Sequence, residues 1–143
     1  MIILDTDVFS LFELEESPEN VRVRSRIAQL DPPPIVATTV VTYEEQSRGR
    51  LAALTKSRKS DDVLAAYLHL RQHIANYRKV RMLDFDAGAL AQYDRFLDRG
   101  YRIGTLDLRI AAIAMSRNAL LLSRNLRDFR RIEGLQVEDW TLP

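Results

Sequence analysis

Five acidic or amide side chains lie next to apolar segments of this 143-residue chain, where a fold could bring them together. Clustered carboxylates repel one another unless a cation neutralises them. Oxygen ligands in a chain that has no cysteine suit Mg²⁺ or Mn²⁺. Such a metal polarises a phosphoryl oxygen and makes a bound water more acidic, which fits phosphodiester hydrolysis without a covalent enzyme intermediate. The five residues are Asp5, Glu45, Asp107, Asn125 and Asp128.

The first of these acids follows the apolar run Ile2–Leu4, which predicts a short buried strand. A strand that begins at residue 2 has no flanking structure to shield it, so we expect it to lie inside a sheet. Its carboxyl end then places Asp5, together with Asp7, at the mouth of that sheet. Open α/β sheets bind their ligands at this edge.

Four further segments predict strands, and predicted helices alternate with them. β-branched residues favour a strand at 35–41, and apolar residues favour strands at 80–85 and 119–123, with a short last strand at 136–140. This alternation predicts an α/β fold with a parallel sheet covered on both faces and right-handed crossovers. The length suits one domain with a real core, so we expect 1–143 to form a single domain.

Local signals predict where several helices begin and end. Thr42 and Glu45 match a capping box, which would start a helix at Thr42. Asp86 and Thr105 are predicted N-caps, and Gly100 is a predicted C-terminal stop. Asp107 would then lie in the first turn of its helix. The segment 125–132 is polar and typical of a turn, and the acidic run 13–16 is expected to end a short helix or turn at 8–12.

Apolar residues at helical spacing predict two more helices. The first contains Val23, Ile27 and Leu30 and ends at the prolines 32–34. The second spans 61–77 and has a longer amphipathic face. That face comprises Val63, Leu64, Tyr67, Leu68 and Ile74.

Each candidate acid also has an ordinary structural explanation. The two acids after the first strand could form a turn, and Glu45 could simply complete its capping box. Asp107 in a first helical turn would complement the helix dipole. Asn125 and Asp128 are common turn residues. The position of the whole set, at strand ends and helix starts along one sheet edge, favours a functional site.

Histidines and basic residues provide weaker signals. His69 and His73 have the i, i+4 spacing of a zinc pair, but Leu70 stands where the metalloprotease motif has glutamate, so we expect surface or interface residues. The basic residues could form a solvated face, or could position a phosphate backbone if they flank the acids. They form two clusters: Arg48, Arg50, Lys56, Arg58 and Lys59, and then Arg124, Arg127, Arg130 and Arg131.

Composition excludes several other classes of protein. The formal net charge of +1 gives no strong overall field, so a nucleic-acid partner would need a local basic patch. The absence of cysteine excludes disulfides, thiolate zinc sites and cysteine nucleophiles. No apolar run approaches the roughly 18 residues of a membrane span, and no signal-peptide pattern is present at the N-terminus. We therefore expect a cytoplasmic protein that does not associate with membranes.

Four motifs occur in order along the chain. They are Ile-Leu-Asp-Thr-Asp at 3–7, Thr42-x-x-Glu45-x-x-x-Gly49, Asp107-x-x-Ile110-Ala111-Ala112-x-Ala114 and Ser123-Arg124-Asn125-x-x-Asp128-Phe129. Together they resemble the PIN-domain ribonucleases, and in particular the VapC-like toxins of bacterial toxin–antitoxin systems. The resemblance covers essentially the whole chain.

The resemblance implies a three-layer α/β/α fold with a mostly parallel sheet of about five strands. It implies Mg²⁺- or Mn²⁺-dependent endonucleolytic cleavage of RNA, a homodimer and an antitoxin partner. Asp5, Glu45 and Asp107 match the three core acids of the family and would hold the metal. Asn125 matches the usual fourth aspartate or asparagine, with Asp128 as a nearby alternative. The neighbours expected to contact the substrate are Thr6, Asp7, Ser123 and Arg124, with Ser123 standing where the family often has threonine.

Two other functions also fit parts of the sequence. Asp5-x-Asp7 after a strand matches the first motif of the haloacid dehalogenase-type phosphatases, in which Asp5 would be a nucleophile. Those enzymes also need a downstream lysine, and no lysine follows Lys79. A PIN-like scaffold that binds RNA or protein without cutting is the non-enzymatic alternative, although the intact set of acids argues against it.

Overall fold

A computed structural model of the protein describes residues 1–12 and 17–143, so the acidic run predicted at 13–16 lies outside the described residues. The described residues form one sheet of five strands, all parallel, in the order β3-β2-β1-β4-β5. The strands are β1 (Ile2–Leu4), β2 (Val36–Thr39), β3 (Arg81–Leu83), β4 (Leu120–Leu122) and β5 (Val137–Glu138).

Seven helices connect these strands in the described part of the chain. They are α1 (Thr6–Leu11), α2 (Pro18–Ala28), α3 (Val40–Lys56), α4 (Ser60–Tyr77), α5 (Ala87–Asp98), α6 (Thr105–Ser116) and the single turn α7 (Leu126–Phe129). None of the helices in the described ranges is long and apolar enough to cross a membrane.

The side chains of β1 alternate between two hydrophobic cores, one on each face of the sheet. Ile3 is fully buried in the first core, against residues of α3, α5 and α6. Ile2 and Leu4 belong to the second core, with residues of α1, α2 and the end of α4. The predicted three-layer α/β/α fold with a parallel sheet is therefore confirmed.

Strand register places the ends of β1 and β4 side by side. Leu4 is aligned with Leu122, so Asp5 and Ser123 leave the sheet as neighbours at its carboxyl edge. Parallel strands share this edge, and here it lies at the N-termini of α1, α3 and α7. The positive ends of these helix dipoles face the acids that gather there.

The predicted start of α3 is wrong by three residues. Thr39, not Thr42, is the N-cap, because its hydroxyl accepts a hydrogen bond from the Thr42 backbone N–H at 3.0 Å. Strand β2 consequently ends at Thr39 and does not run to residue 41. Glu45 lies in the second turn of the helix, so its carboxylate does not complete a capping box.

The other predicted helix ends have mixed outcomes. Asp86 caps α5 as predicted, since its Oδ1 accepts from the Ala89 N–H at 3.0 Å. The helix ends before Gly100, whose φ of 68° lies in the left-handed region that glycine tolerates. Thr105 is not a cap: Gly104 takes that position and Thr105 is the first helical residue.

Four of the five residues predicted to form the apolar face of α4 do not face the core, and the fifth, Val63, is partly buried. Leu64, Tyr67, Leu68 and Ile74 are 53–62% exposed. The buried side chains of this helix are instead Ala66, His73 and Tyr77, which share a different face. The apolar residues do recur at helical spacing, but the face of α4 that packs against the protein is the one with smaller and more polar side chains.

Two smaller corrections concern α2 and α7. Val23 is fully buried, but α2 ends at Ala28 and Leu30 is 41% exposed beyond it. The segment predicted as a polar turn contains the helical turn α7, and its Phe129 and Ile132 are buried in the first core.

Candidate active site

Asp5 is a buried carboxylate at the carboxyl end of β1, only 5% exposed. It caps α1, and its Oδ1 accepts a hydrogen bond from the Thr6 backbone N–H at 2.8 Å. Its Oδ2 accepts from the Ser123 hydroxyl at 2.7 Å. Burial raises the pKa of Asp5 to about 7, against the opposing effect of the Ser123 hydrogen bond and with the support of the negative charge of Asp7.

Glu45 reaches the end of β1 through a hydroxyl. The Thr6 Oγ1 donates to Glu45 Oε2 at 2.6 Å, so α3 presents this carboxylate to the residue that follows Asp5. The two helices are bridged again one turn further on, where Gln46 Nε2 donates to Ser10 Oγ at 2.8 Å. Glu45 is thus held against Thr6, the residue that follows Asp5, by contacts between α1 and α3.

Asp107 lies in the first turn of α6 and is joined to the end of β4 by an amide. The Nδ2 of Asn125 donates to Asp107 Oδ2 at 3.1 Å and to Asp128 Oδ2 at 3.2 Å. The backbone N–H of Asn125 donates to Ser123 Oγ at 3.0 Å, which ties this group to the partner of Asp5. All five candidate residues therefore belong to one connected polar cluster or to its immediate neighbours.

The carboxylates of this cluster interact electrostatically. Burial raises the pKa of Asp107, and the negative charges of Glu45 and Asp128 raise it further. The Asp107 charge in turn contributes to the raised pKa of Asp5. The pKa values thus rise because negative charges crowd in a poorly hydrated place, and a bound cation would relieve that crowding.

The partly buried Asp7 and the half-exposed Arg124 lie at the edge of the cluster. The Asp7 Oδ2 accepts from the backbone N–H of Arg124 at 3.1 Å and lies 3.4 Å from its Nε. Burial nevertheless raises the pKa of Asp7. Its second oxygen, Oδ1, is buried and has no hydrogen-bond partner among the described residues. Arg124 itself is half-exposed, where it can meet an anion from solvent.

The basic cluster that follows β4 flanks the acids. This is the arrangement that binding of a phosphate backbone would need. Arg127 and Arg131 have nitrogens 3.5 Å and 3.9 Å from Asp128 Oδ1. Arg127 is 90% exposed in its side chain, so most of its guanidinium surface is open to solvent. In the other basic cluster, Arg48 is paired with Glu44 at 2.5 Å on the surface of α3.

The donor set fits a divalent cation of the magnesium type. Its members are carboxylate oxygens, including the Oδ1 of Asp7, which has no partner among the described residues. Burial, and after it the neighbouring negative charges, raises the pKa of Asp5 and of Asp107. No three acidic or histidine side chains in residues 1–12 and 17–143 are already arranged to hold a metal. Their oxygens instead accept hydrogen bonds from the hydroxyls of Thr6 and Ser123 and from the Asn125 amide.

The residues predicted to contact substrate lie at the cluster, but with different exposures. Ser123 is fully buried and bonded to Asp5, and the Thr6 hydroxyl is bonded to Glu45, so both are placed to orient carboxylates. Asp7 is partly buried, and Arg124 is the more accessible of the two. These roles depend on contacts between residues distant in sequence, which no local motif signals.

The two histidines differ in exposure. His69 is exposed, whereas His73 is 1% exposed, so the expectation that both lie at a surface or interface is wrong for His73. The His73 ring stacks on Tyr43 at 5.2 Å between ring centroids and its Nε2 lies 2.8 Å from Ser47 Oγ. His73 is therefore part of the packing between α3 and α4.

Comparison with known proteins gives consistent results. The PIN domain family model matches residues 2–135. Ribonuclease VapC1 of Haemophilus influenzae strain R2866 is 27% identical over 139 residues, which cover 97% of each chain. The tRNA(fMet)-specific endonuclease VapC of Shigella flexneri is 33% identical over 67 residues, 44% of this chain and 51% of that protein.

A solved structure gives the same fold. The structure of VapBC-1 from nontypeable Haemophilus influenzae superposes with a TM-score of 0.74 and 27% identity, over 99% of this chain and 100% of that one. The predicted likeness to this family is confirmed. By the match of its family model along nearly its whole length, the chain belongs to the PIN domain family.

Proposed function

We propose that this protein is a divalent-metal-dependent endoribonuclease and the toxin of a toxin–antitoxin pair. The observation that carries the proposal is the convergence of Asp5, Glu45, Asp107 and Asp128 at the carboxyl edge of the sheet, linked by Thr6, Ser123 and Asn125. The similar proteins named Ribonuclease VapC1 and tRNA(fMet)-specific endonuclease VapC support the choice of RNA as the substrate.

In this proposal Asp5, Glu45 and Asp107 would hold Mg²⁺ or Mn²⁺. A bound divalent cation supplies polarisation of a phosphoryl oxygen and a water of lowered pKa. The Ser123 hydroxyl and the Thr6 backbone N–H keep the Asp5 oxygens oriented. Asn125 holds Asp107 and Asp128 as a pair, so Asp128 is placed to accept a proton from an attacking water.

The arginines at the edge of the cluster would bind the RNA backbone. Arg124 and Arg127 have half or more of their side-chain surface exposed, beside the acids rather than among them. A guanidinium group binds two phosphate oxygens at once, and such a phosphate contact carries no base specificity. These two residues would therefore position the scissile strand over the carboxylates, and would make RNA binding weaken as salt rises.

The first experiment compares three purified variants with the wild type on a total RNA pool with added Mn²⁺. Asp5→Asn and Asp107→Asn should each lose discrete cleavage because each removes a negative ligand. Asp98→Asn is the matched control, since Asp98 is an exposed aspartate at the end of α5. Wild-type levels of cleavage by Asp5→Asn would overturn the assignment of Asp5.

Metal binding should be measured separately from cleavage. Titration calorimetry with Mn²⁺ alone should detect binding to the wild type and much weaker binding to Asp107→Asn. If the wild type neither binds Mn²⁺ nor cuts RNA, the protein is the non-catalytic scaffold that the sequence also allowed. The phosphatase alternative loses its support because the PIN domain model matches the chain and no lysine follows Lys79.

The remaining expectations belong to the same proposal. A similar solved structure, VapBC-5 from Mycobacterium tuberculosis, is described as a member of the VapBC family of toxin–antitoxin systems (28% identity, TM-score 0.54). We propose that this chain likewise binds a cognate antitoxin in the cytoplasm. We also propose that it forms a homodimer and that residues 1–143 constitute one domain. Expression of the chain alone should arrest growth, and co-expression of the antitoxin should relieve that arrest, while an Asp5→Asn chain should not arrest growth at all.

A further inference from the structure

Gln46 joins three helices through hydrogen bonds at both ends of its amide. Its Nε2 donates to Ser10 Oγ of α1 at 2.8 Å, and its Oε1 accepts from the Tyr77 hydroxyl of α4 at 2.8 Å. Gln46 itself belongs to α3, where it directly follows Glu45. One side chain therefore connects α1, α3 and the end of α4, next in sequence to a proposed metal ligand.

The hydrogen bonds continue from Ser10 to the start of α1. Ser10 Oγ donates to the backbone carbonyl of Thr6 at 2.7 Å. Thr6 in turn donates its hydroxyl to Glu45 Oε2 at 2.6 Å and its backbone N–H to Asp5 Oδ1 at 2.8 Å. Every step from the Tyr77 hydroxyl to these two carboxylates is therefore a direct hydrogen bond or lies within one residue.

These hydrogen bonds run in one direction, which fixes the orientation of the amide. A serine hydroxyl has one hydrogen, and Ser10 donates it to the Thr6 carbonyl, so Ser10 Oγ must accept in its contact with Gln46. The amide oxygen is then left for the Tyr77 hydroxyl. The reverse orientation would set that oxygen against Ser10 and would cost the bond to Thr6. The position therefore requires a side chain that donates at one atom and accepts at another.

Tyr77 is the fixed end of this chain of hydrogen bonds because aromatic rings surround it. Tyr77 is only 7% exposed. Its ring centroid lies 4.8 Å from that of Phe9, 5.0 Å from that of Tyr43 and 4.9 Å from that of His73. A buried ring with three ring neighbours has little freedom to rotate, so its hydroxyl offers Gln46 a stationary donor.

The first turn of α1 depends on contacts of this kind because the helix is short. It has six residues, fewer than the roughly 12 below which an isolated helix is marginal in water. Thr6 is its first residue, so the Thr6 hydroxyl moves with that turn. A shift of about 1 Å away from α3 would lengthen the bond to Glu45 beyond hydrogen-bond range.

We propose that Gln46 is a positioning residue of the proposed active site. It holds the first turn of α1 against α3, so that Thr6 keeps its hydrogen bonds to both Glu45 and Asp5. The inference rests on the proposed function, in which these two carboxylates are metal ligands. It adds a residue that acts on them through Ser10 and Thr6 and does not itself bind the metal.

The first measurement tests the hydrogen bonds alone, by urea unfolding of the metal-free protein with a chelator present. Gln46→Met keeps the length of the side chain but removes both bonds, and should raise the unfolding equilibrium constant by about fivefold to tenfold. Tyr77→Phe removes the hydroxyl and keeps the ring, and in the Gln46→Met background it should no longer raise that constant. Gln72→Met is the matched control, since Gln72 is an exposed glutamine of α4 that bonds only within its own helix surface, to Asn76.

The second measurement is Mn²⁺ affinity by titration calorimetry. Gln46→Met should weaken Mn²⁺ binding by about fivefold, because Thr6 then no longer holds the Glu45 carboxylate. In a Thr6→Val background, where that bond is already absent, the same substitution should weaken binding by less than about 1.5-fold. Ser10→Ala should cause a loss similar to that of Gln46→Met, and Ser10→Thr, which keeps the hydroxyl, should restore the affinity.

Three results would overturn the role of Gln46. They are an unfolding constant that Gln46→Met leaves unchanged, an unchanged Mn²⁺ affinity, or an equal loss of affinity with and without the Thr6 hydroxyl. The last would make Gln46 a structural residue that does not act through Thr6. Absence of Mn²⁺ binding by the wild type would overturn the proposed function itself, whereas these three results in a protein that binds Mn²⁺ overturn only the role of Gln46.

Discussion

Ser123 Oγ donates a 2.7 Å hydrogen bond to Asp5 Oδ2 across two adjacent parallel strands. The bond exists because Leu4 and Leu122 are aligned in the sheet, which makes the next residue of each strand a neighbour of the other. Both side chains are buried, so the hydroxyl is the main group that favours the charged form of Asp5 in a site whose burial opposes it. Strand register therefore places beside Asp5, a proposed metal ligand, the hydroxyl that favours its ionised form.

Replacing Ser123 with alanine should raise the pKa of Asp5 further. A hydrogen bond to a charged group contributes about 1.5–3 kcal/mol, which corresponds to about one to two pKa units. At neutral pH the metal would then compete with a proton for the Asp5 carboxylate, and Mn²⁺ affinity should fall about tenfold or more. Calorimetric titration with Mn²⁺ across the neutral range measures this shift. Ser123→Thr keeps the hydroxyl and should restore the affinity; an unchanged affinity in Ser123→Ala would contradict the role given to this bond.

Asp5 should make the metal-free protein less stable as pH rises. Its pKa is about 7 when folded and 3.8 when exposed, so below about pH 4 both states are protonated and there is no penalty. Between these values the unfolded carboxyl ionises first, and the free energy of unfolding falls, by about 4 kcal/mol once the pH exceeds 7. Asp7 and Asp107, whose pKa values are also raised by burial, act in the same direction.

The corresponding measurement is urea unfolding with a chelator present, from mildly acidic to mildly alkaline pH. Asp5→Asn cannot ionise at this position, so its stability should depend less on pH and should exceed that of the wild type in alkaline solution. Added Mn²⁺ should stabilise the wild type more as pH rises, because the metal then no longer displaces a proton. Parallel pH curves for the two proteins would rule out a raised pKa at Asp5.

Much of this site was predictable because its residues leave the sheet at one edge. The apolar run before Asp5 and the alternation of strands and helices were enough to place that residue at the carboxyl end of a parallel strand. Asp107 could be placed in a first helical turn in the same way. The four motifs, taken in their order along the chain, then indicated the family. Local patterns alone do not indicate it.

The parts that sequence did not predict depend on competing local signals or on distant contacts. Thr39 and Thr42 are both competent caps in a run of β-branched residues, and only the end of β2 decides between them. The apolar period of α4 is real, but it cannot tell whether that face packs within the chain. The pairing of Arg109 with Tyr93 joins α6 to α5 and leaves no local trace.

The Thr6 hydroxyl should contribute to metal binding through Glu45. Thr6→Val preserves the shape of the side chain but removes the 2.6 Å hydrogen bond to Glu45 Oε2. Without that bond the carboxylate can rotate away, so we expect a fall of about fivefold to tenfold in Mn²⁺ affinity and a higher Mn²⁺ requirement for cleavage. Thr6→Ser retains the donor and should behave like the wild type. Equal behaviour of the valine and serine variants would show that Glu45 needs no such support.

Asn125 should stabilise the metal-free cluster because its amide donates a hydrogen bond to each of two carboxylates that would otherwise repel each other. Its Nδ2 lies 3.1 Å from Asp107 Oδ2 and 3.2 Å from Asp128 Oδ2, and the reverse amide orientation would set an oxygen against both. Asn125→Asp therefore replaces two hydrogen bonds with charge repulsion, and should lower the free energy of unfolding at neutral pH by about 2 kcal/mol when no metal is present.

The same variant separates a bridging role from a ligand role. With saturating Mn²⁺, Asn125→Asp should gain more thermal stability than the wild type, since a cation neutralises the added carboxylate. Asn125→Ala loses the bridge without adding charge, so it should be destabilised in the absence of metal but gain no more from Mn²⁺ than the wild type does. Thermal unfolding of the three proteins with chelator and with Mn²⁺ measures both effects. If Asn125→Asp were as stable as the wild type without metal, the amide would not be what holds Asp107 beside Asp128.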